Sequence, residues 1–171
     1  MSSTQRDQQT NTGGFGGSFR GSVNASFYEE VAQPYTPTIN LYVMEIDINM
    51  KKTASPTDNI ILEIVEVLDG TPLYSCTIDG STLTTSYGYI PFVFNTPCIL
   101  TSGTQYYLQL RRSGASDDTN YYNFTSGSSG TSFQKRISSS WASSGFGPFT
   151  YKIFSEDLLD SSSFYLKQGF Q

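Results

Sequence analysis

Asn40-Leu41-Tyr42-Val43-Met44-Glu45-Ile46-Asp47-Ile48-Asn49-Met50 decides how the rest of the chain is read. Tyr42, Met44, Ile46, Ile48 and Met50 fall on one face of an extended chain, and Glu45, Asp47 and Asn49 on the other. Apolar and polar residues that alternate with period two predict a strand with one dry and one wet face. The same pattern recurs on both sides of it. Ile60 to Val67 predicts a strand with Ile60, Leu62 and Ile64 inward. There Val65 and Val67 break parity, which calls for a bulge or for burial on both faces. Asp69-Gly70-Thr71-Pro72 is a turn, with Gly70 expected at positive φ and Pro72 fixing its own. Leu73 to Ile78 and Tyr89 to Phe94 follow as strands. Thr104 to Arg112 then sets Tyr106, Leu108 and Leu110 against Tyr107, Gln109 and Arg111.

Upstream, Phe27 to Tyr35 is extended and broken by Pro34 and Pro37. Downstream, Asn120 to Thr125 and Ser132 to Ile137 read as short strands. Ser138 to Pro148 reads as a Ser/Gly loop carrying the single tryptophan, Trp141. Phe149, Tyr151 and Ile153 form one more inward row. No helix of useful length appears. Roughly eight to ten short strands predict an all-β protein, an antiparallel β-sandwich. Residues 1–24 read as an N-terminal arm, 25–155 as the sandwich and 156–171 as a C-terminal extension ending in a strand.

Composition agrees and excludes much chemistry. The 171 residues include 12 Tyr, 12 Phe and 44 Ser and Thr, but only 10 basic and 15 acidic residues. With no histidine, neither a Ser-His-Asp triad nor a histidine-ligated metal can form. A net charge of −5 without a basic stripe argues against nucleic acid and against an anionic membrane surface. No apolar run is long enough to span a bilayer as a helix. The polar start from Met1 to Gln9 lacks the apolar segment of a signal peptide. The chain therefore reads as made in the cytoplasm, or as a mature fragment with an added Met. Cys76 and Cys98 are expected to be buried free thiols, with a single disulfide between neighbouring strands as the alternative.

The stretch from Gln33 to Phe154 resembles jelly-roll β-sandwich domains that are similar to carbohydrate-binding modules and recur in phage tail proteins and bacterial surface proteins. Gln33-Pro34-Tyr35-Thr36 resembles the opening strand of that family. Ile60 to Ile64 followed by Asp69-Gly70-Thr71-Pro72 resembles its strand and turn. Phe92-Val93-Phe94 and Leu100-Thr101-Ser102-Gly103-Thr104-Gln105-Tyr106-Tyr107-Leu108 resemble its core. Asn120-Tyr121-Tyr122, Trp141 and Phe149 to Phe154 match the late loops and closing strand. Both ends extend beyond the module, and Cys98 stands at an inward position before the Leu100 turn. The resemblance implies a jelly-roll sandwich, to which the N- and C-terminal arms are additions.

Chemistry gathers at a few places. Asn120, Tyr121, Tyr122, Trp141 and Arg111 combine aromatic faces with amide and guanidinium groups, the pairing that binds sugars. The structural alternative is that Tyr121 or Tyr122 lies in the core and Trp141 pins a loop. No cofactor is expected, although domains resembling this one often hold a structural Ca²⁺. Asp117 and Asp118, with Asp47 and Asp79, are the oxygen donors that such an ion would draw on. Phe15, Phe19, Phe164, Leu166 and Phe170 are apolar enough to bury against neighbouring subunits. Glu29, Glu30, Glu63 and Glu66 read as strand surface rather than as a catalytic pair.

These readings lead to a non-enzymatic virion structural protein: a phage or virus decoration, fibre or tail component. It would be made in the host cytoplasm, would assemble with copies of itself or other virion proteins, and would contact a host glycan. The alternative is a carbohydrate-binding module or adhesin domain of a larger secreted or cell-surface protein. Neither a nucleic acid nor a membrane is an expected partner.

Overall fold

In a computed structural model of the chain, residues 4–10, 17–19, 28–115, 117–128 and 130–156 are described. They form two antiparallel sheets packed face to face, an all-β sandwich. The strands are β1 (Thr4–Gln9), β2 (Gly17–Phe19), β3 (Glu30–Tyr35), β4 (Leu41–Thr53), β5 (Asn59–Val65) and β6 (Tyr74–Asp79). They continue with β7 (Gly88–Leu100), β8 (Tyr106–Arg112), β9 (Tyr121–Phe124), β10 (Gln134–Ile137), β11 (Ser140–Ser143) and β12 (Tyr151–Glu156). One 3₁₀ turn, Gly80–Thr82, is capped by the Asp79 carboxylate. Among the described residues no helix is long and apolar enough to cross a membrane.

The front sheet runs β11-β10-β3-β8-β5-β6. The back sheet is built around β4. Glu45 pairs with Val93 of β7 on one side and with Phe154 of β12 on the other, so these strands flank β4. Beyond β12, strand β9 continues along the same edge, pairing with Met50 to Thr53. Asn49 closes the junction. Its N–H donates to the Thr150 carbonyl at 2.9 Å, and its carbonyl accepts from the Thr125 N–H at 3.0 Å.

Pairing is nested: β5 with β6, β4 with β7, β3 with β8 and β2 with β9. A long hairpin rolled over on itself gives this order, which is the winding of a jelly roll. The N-terminal arm supplies the outer pieces, since β1 pairs with β12 and β2 with β9.

Inward rows match the alternation in the sequence. Ile60, Leu62, Ile64, Leu108, Leu110, Phe92 and Ile153 are fully buried. At one end of the core Phe124, Phe133 and Phe149 pack edge-to-face or tilted against one another, with ring centroids 4.7–5.2 Å apart. The buried Gln33 ties the sheets together here, its Oε1 accepting from the Phe149 N–H at 2.9 Å. Cys76 and Cys98 are both free. Burial, with Cys76 beside it, pushes the Cys98 thiol up to about 12.

Four local expectations are corrected. In β4 the partners of Val43 and Glu45 skip Met44 on both sides, so Met44 is a bulge residue. The bulge shifts parity, so Leu41 and Val43 point inward while Tyr42 and Met44 are half-buried. In the turn after β5, Asp69 takes the positive φ of 62° instead of Gly70. Ser138 to Pro148 is not all loop. Ser138 and Ser139, both at positive φ, make a two-residue hairpin turn into β11, which carries Trp141. Finally, Val67 is exposed rather than buried.

At Gly80 the chain passes close to β9. A Cβ there would lie 1.9 Å from the Tyr122 hydroxyl and 2.6 Å from the Asp58 carbonyl. Gly80→Ala is expected to cost about 1–3 kcal/mol through overpacking. A thermal melt checks this, and an unchanged midpoint would show that the loop yields.

Candidate ligand-binding face

The outer face of the front sheet gathers the densest polar chemistry in the described residues. Alternation puts it there. With Val31, Leu108 and Leu110 turned into the core, Glu30, Ala32, Gln109 and Arg111 must point out. Register then aligns them. Trp141, Arg136, Glu30 and Arg111 lie opposite one another across β11, β10, β3 and β8. A neighbouring row runs Gln134, Ala32, Gln109, Glu63.

The Arg111 guanidinium grips Glu63 with two hydrogen bonds, 2.7 and 3.1 Å. That pairing raises the already high pKa of Arg111, against the opposing effect of burial. Glu30 accepts from the Gln109 carboxamide at 2.5 Å and from Arg136 at 2.8 Å. Arg136 also meets Asp69 at 3.1 Å and Glu29 at 3.9 Å. Asp69 belongs to the β5–β6 loop, whereas Arg136 stands on β10, three strand spacings or roughly 14 Å from β5. The loop therefore reaches over the face.

Burial on this face is deep for the outside of a sheet. Gln109 is 5% exposed and Glu63 7%, while Ala32 and Val65 are 0% and 1% exposed yet stand outside the core cluster. Three buried polar atoms here have no hydrogen-bond partner: Gln109 Oε1, Arg136 Nε and Trp141 Nε1.

The five residues expected to bind a glycan are split between two places. Arg111 and Trp141 share the row just described, three strands apart. Asn120, Tyr121 and Tyr122 lie at or beside β9 in the back sheet. Tyr122 is a core residue whose hydroxyl donates to the Asp58 carbonyl at 2.7 Å. Asn120 is engaged locally, accepting from the Ser55 N–H and donating to Asp117. Tyr121 is half-buried on the outward side of β9.

Beside this second group is a cleft of about 260 Å³ between Ser55 to Asp58 on one side and Arg112, Gly114, Asp117 and Asn120 on the other. The bidentate Asp58–Arg112 pair lines it, at 2.7 and 2.8 Å. A more open polar cleft of about 450 Å³, lined by Asp7, Tyr35, Gln105 and Tyr151, lies under β1.

Asp117 accepts from the Thr119 and Asn120 N–H groups and from the Asn120 side chain. These bonds hold its carboxyl below the usual range and close the loop. Among the described residues no group of three or more His, Cys, Asp or Glu is placed to hold a metal ion, at Asp117 and Asp118 or elsewhere. Of the residues expected to serve assembly, Phe15, Phe164, Leu166 and Phe170 lie outside the described residues. Phe19 is described only by its backbone pairing with Tyr122.

Glu30, Glu63, Gln109 and Arg136 do not emerge as a cluster from the sequence. The outward parity of Glu63 and Gln109 is legible, but the rows they share with Glu30 and Arg136 depend on long-range register. No protein-family model matches the chain, and no curated protein matches it either.

Proposed function

We propose that this chain is a non-enzymatic jelly-roll component of a virion surface, a decoration, fibre or tail protein, that touches a host glycan through the outer face of its front sheet. One observation carries the binding part: Trp141, Arg136, Glu30 and Arg111 in one row, with Gln109 and Glu63 beside them. An indole face takes the C–H side of a sugar ring, while amide, carboxylate and guanidinium groups take its hydroxyls. Four carboxylates (Glu29, Glu30, Glu63, Asp69) against two guanidinium groups favour a neutral sugar over an anionic one. Both strand carboxylates are already held by arginine, which speaks for recognition instead of acid–base chemistry.

The virion context rests on the family resemblance of Gln33 to Phe154. A carbohydrate-binding or adhesin domain of a larger protein would use the same face and differ in assembly alone.

A glycan array followed by calorimetry tests the binding. Trp141→Ala is expected to weaken a bound neutral glycan by about 10–30-fold. Tyr121→Ala, on the back sheet, should leave affinity unchanged. An array with no hits sinks the glycan reading. Light scattering tests assembly: a stable oligomer supports the virion component, and a monomer favours the separate binding domain.

A further inference from the structure

We infer that the β5–β6 loop is a strap closed over the front-sheet face, latched by the Asp69–Arg136 ion pair, and that a ligand reaches Gln109 only when the strap lifts. The inference rests on the glycan reading above and adds its gate.

Three observations converge on it. The first is cover. Ala32 and Val65 are shut off from solvent on the outer side of the sheet, away from the core, as are Gln109 and Glu63. Among the described residues the β5–β6 loop reaches over this face as far as Arg136, and Leu68 is its one half-buried side chain between Glu66 and Leu73.

The second is the latch. Asp69 is about half exposed, 47%, so its ion pair is weak and screened by salt. The loop makes its hydrogen bonds locally among the described residues, Gly70 N–H to the Val67 carbonyl and Leu73 N–H to the Ile64 carbonyl, each at 2.9 Å. It can therefore move as one piece about its two ends.

The third is unmet bonding on the same face. Gln109 Oε1 is an acceptor without a hydrogen bond, and Trp141 Nε1 and Arg136 Nε, the latter 3.9 Å from the Glu29 carboxylate, are donors without one. Buried polar groups ordinarily find partners. A hydroxyl-bearing ring supplies both kinds, whereas a sulfate offers no donor, and either a sulfate or a phosphate meets four carboxylates.

Asp69→Asn tests the strap. Asparagine tolerates the left-handed conformation at this position, so the turn survives while the charge is lost. Trp141 is the single tryptophan, so its fluorescence reports this face alone. In the variant, acrylamide quenching of Trp141 and amide exchange over residues 66–73 should both rise, exchange by roughly tenfold. In the unsubstituted chain about 0.5 M NaCl should move both readouts the same way, and in the variant it should add little.

Affinity for a neutral oligosaccharide identified on the array should tighten roughly three- to tenfold in the variant, because less is spent on opening. Unchanged quenching and exchange would overturn the latch. So would an oligosaccharide that binds both proteins equally well. If the strap opens in the variant but neither protein binds any neutral sugar, the strap is upheld and the glycan reading fails.

Discussion

Asp58→Ala should destabilise the fold by about 3–5 kcal/mol, the loss that follows when one member of a buried ion pair is removed. Arg112 is 6% exposed at its side chain and Asp58 13%. The two share bonds of 2.7 and 2.8 Å, and Asp58 also accepts from the Gly114 N–H and the Tyr122 hydroxyl. The substitution takes both carboxylate bonds from a cation held away from water between β8, β9 and the loop after β4. At this chain length such a loss lowers the melting midpoint by roughly 6–20 °C. Asp58→Ala combined with Arg112→Met should lie closer to the unsubstituted protein than Asp58→Ala alone, since no buried charge is then stranded. A double variant no better than the single one would locate the effect in the loop backbone.

The same pair sets an acid limit. Burial acts to raise the Asp58 carboxyl, but the Arg112 hydrogen bonds and charge, helped by Tyr122 and Gly114, outweigh it and lower the folded value. A carboxyl lowered on folding contributes stability above its unfolded value of about 3.9, and loses it as pH falls through the folded value. Below about pH 4 the unsubstituted protein should therefore lose stability more steeply than Asp58→Ala. Melts taken between neutral pH and pH 2 check the slope, and parallel curves would deny Asp58 this role.

Phe149→Ala is expected to cost about 3–5 kcal/mol, the range for removing a buried ring from a packed core. Phe149 is fully buried, and its ring lies 4.7 Å from that of Phe124 and 5.2 Å from that of Phe133. Phe133 precedes β10 of the front sheet and Phe124 ends β9 of the back sheet, so the trio joins both layers where no regular strand pairing does. Phe149→Leu keeps much of the volume and should cost clearly less. Urea unfolding with an unchanged slope measures the difference. A loss below about 1 kcal/mol for the alanine would mean that the core collapses into the gap.

The physical origin of each element decides how far the sequence revealed it. Strands that bury a row announce themselves, as Ile60, Leu62 and Ile64 or Tyr106, Leu108 and Leu110 do. β1 buries almost nothing and is held by its backbone ladder to β12, so it leaves no periodic mark. β11 is an edge strand of Ser, Trp and Ala behind a two-serine turn, and composition alone reads it as loop. Met44 looks like a core residue until neighbours on both sides skip it, which no local pattern reveals.

The candidate site divides in the same way. Arg111 and Trp141 were legible as sugar-binding types and share a face. Tyr122 has the same chemistry but is spent on the core, as the structural alternative allowed. Glu30, Gln109 and Arg136 come together through pairings of residues up to 106 positions apart. The covering of that face by Asp69 is a tertiary event with no local signature.

The placement of β12 has a consequence for synthesis on the ribosome. It lies between β1 and β4, so the flank of β4 along Tyr42 to Ile48 is completed only when Tyr151 to Glu156 arrive. Glu156 lies about 100 residues beyond Thr53, or roughly 5–20 s of elongation. Throughout that interval a long, apolar strand presents an open edge, the kind of surface on which nascent chains pair with one another. A translational pause within it prolongs that exposure, whereas a pause after Glu156 does not.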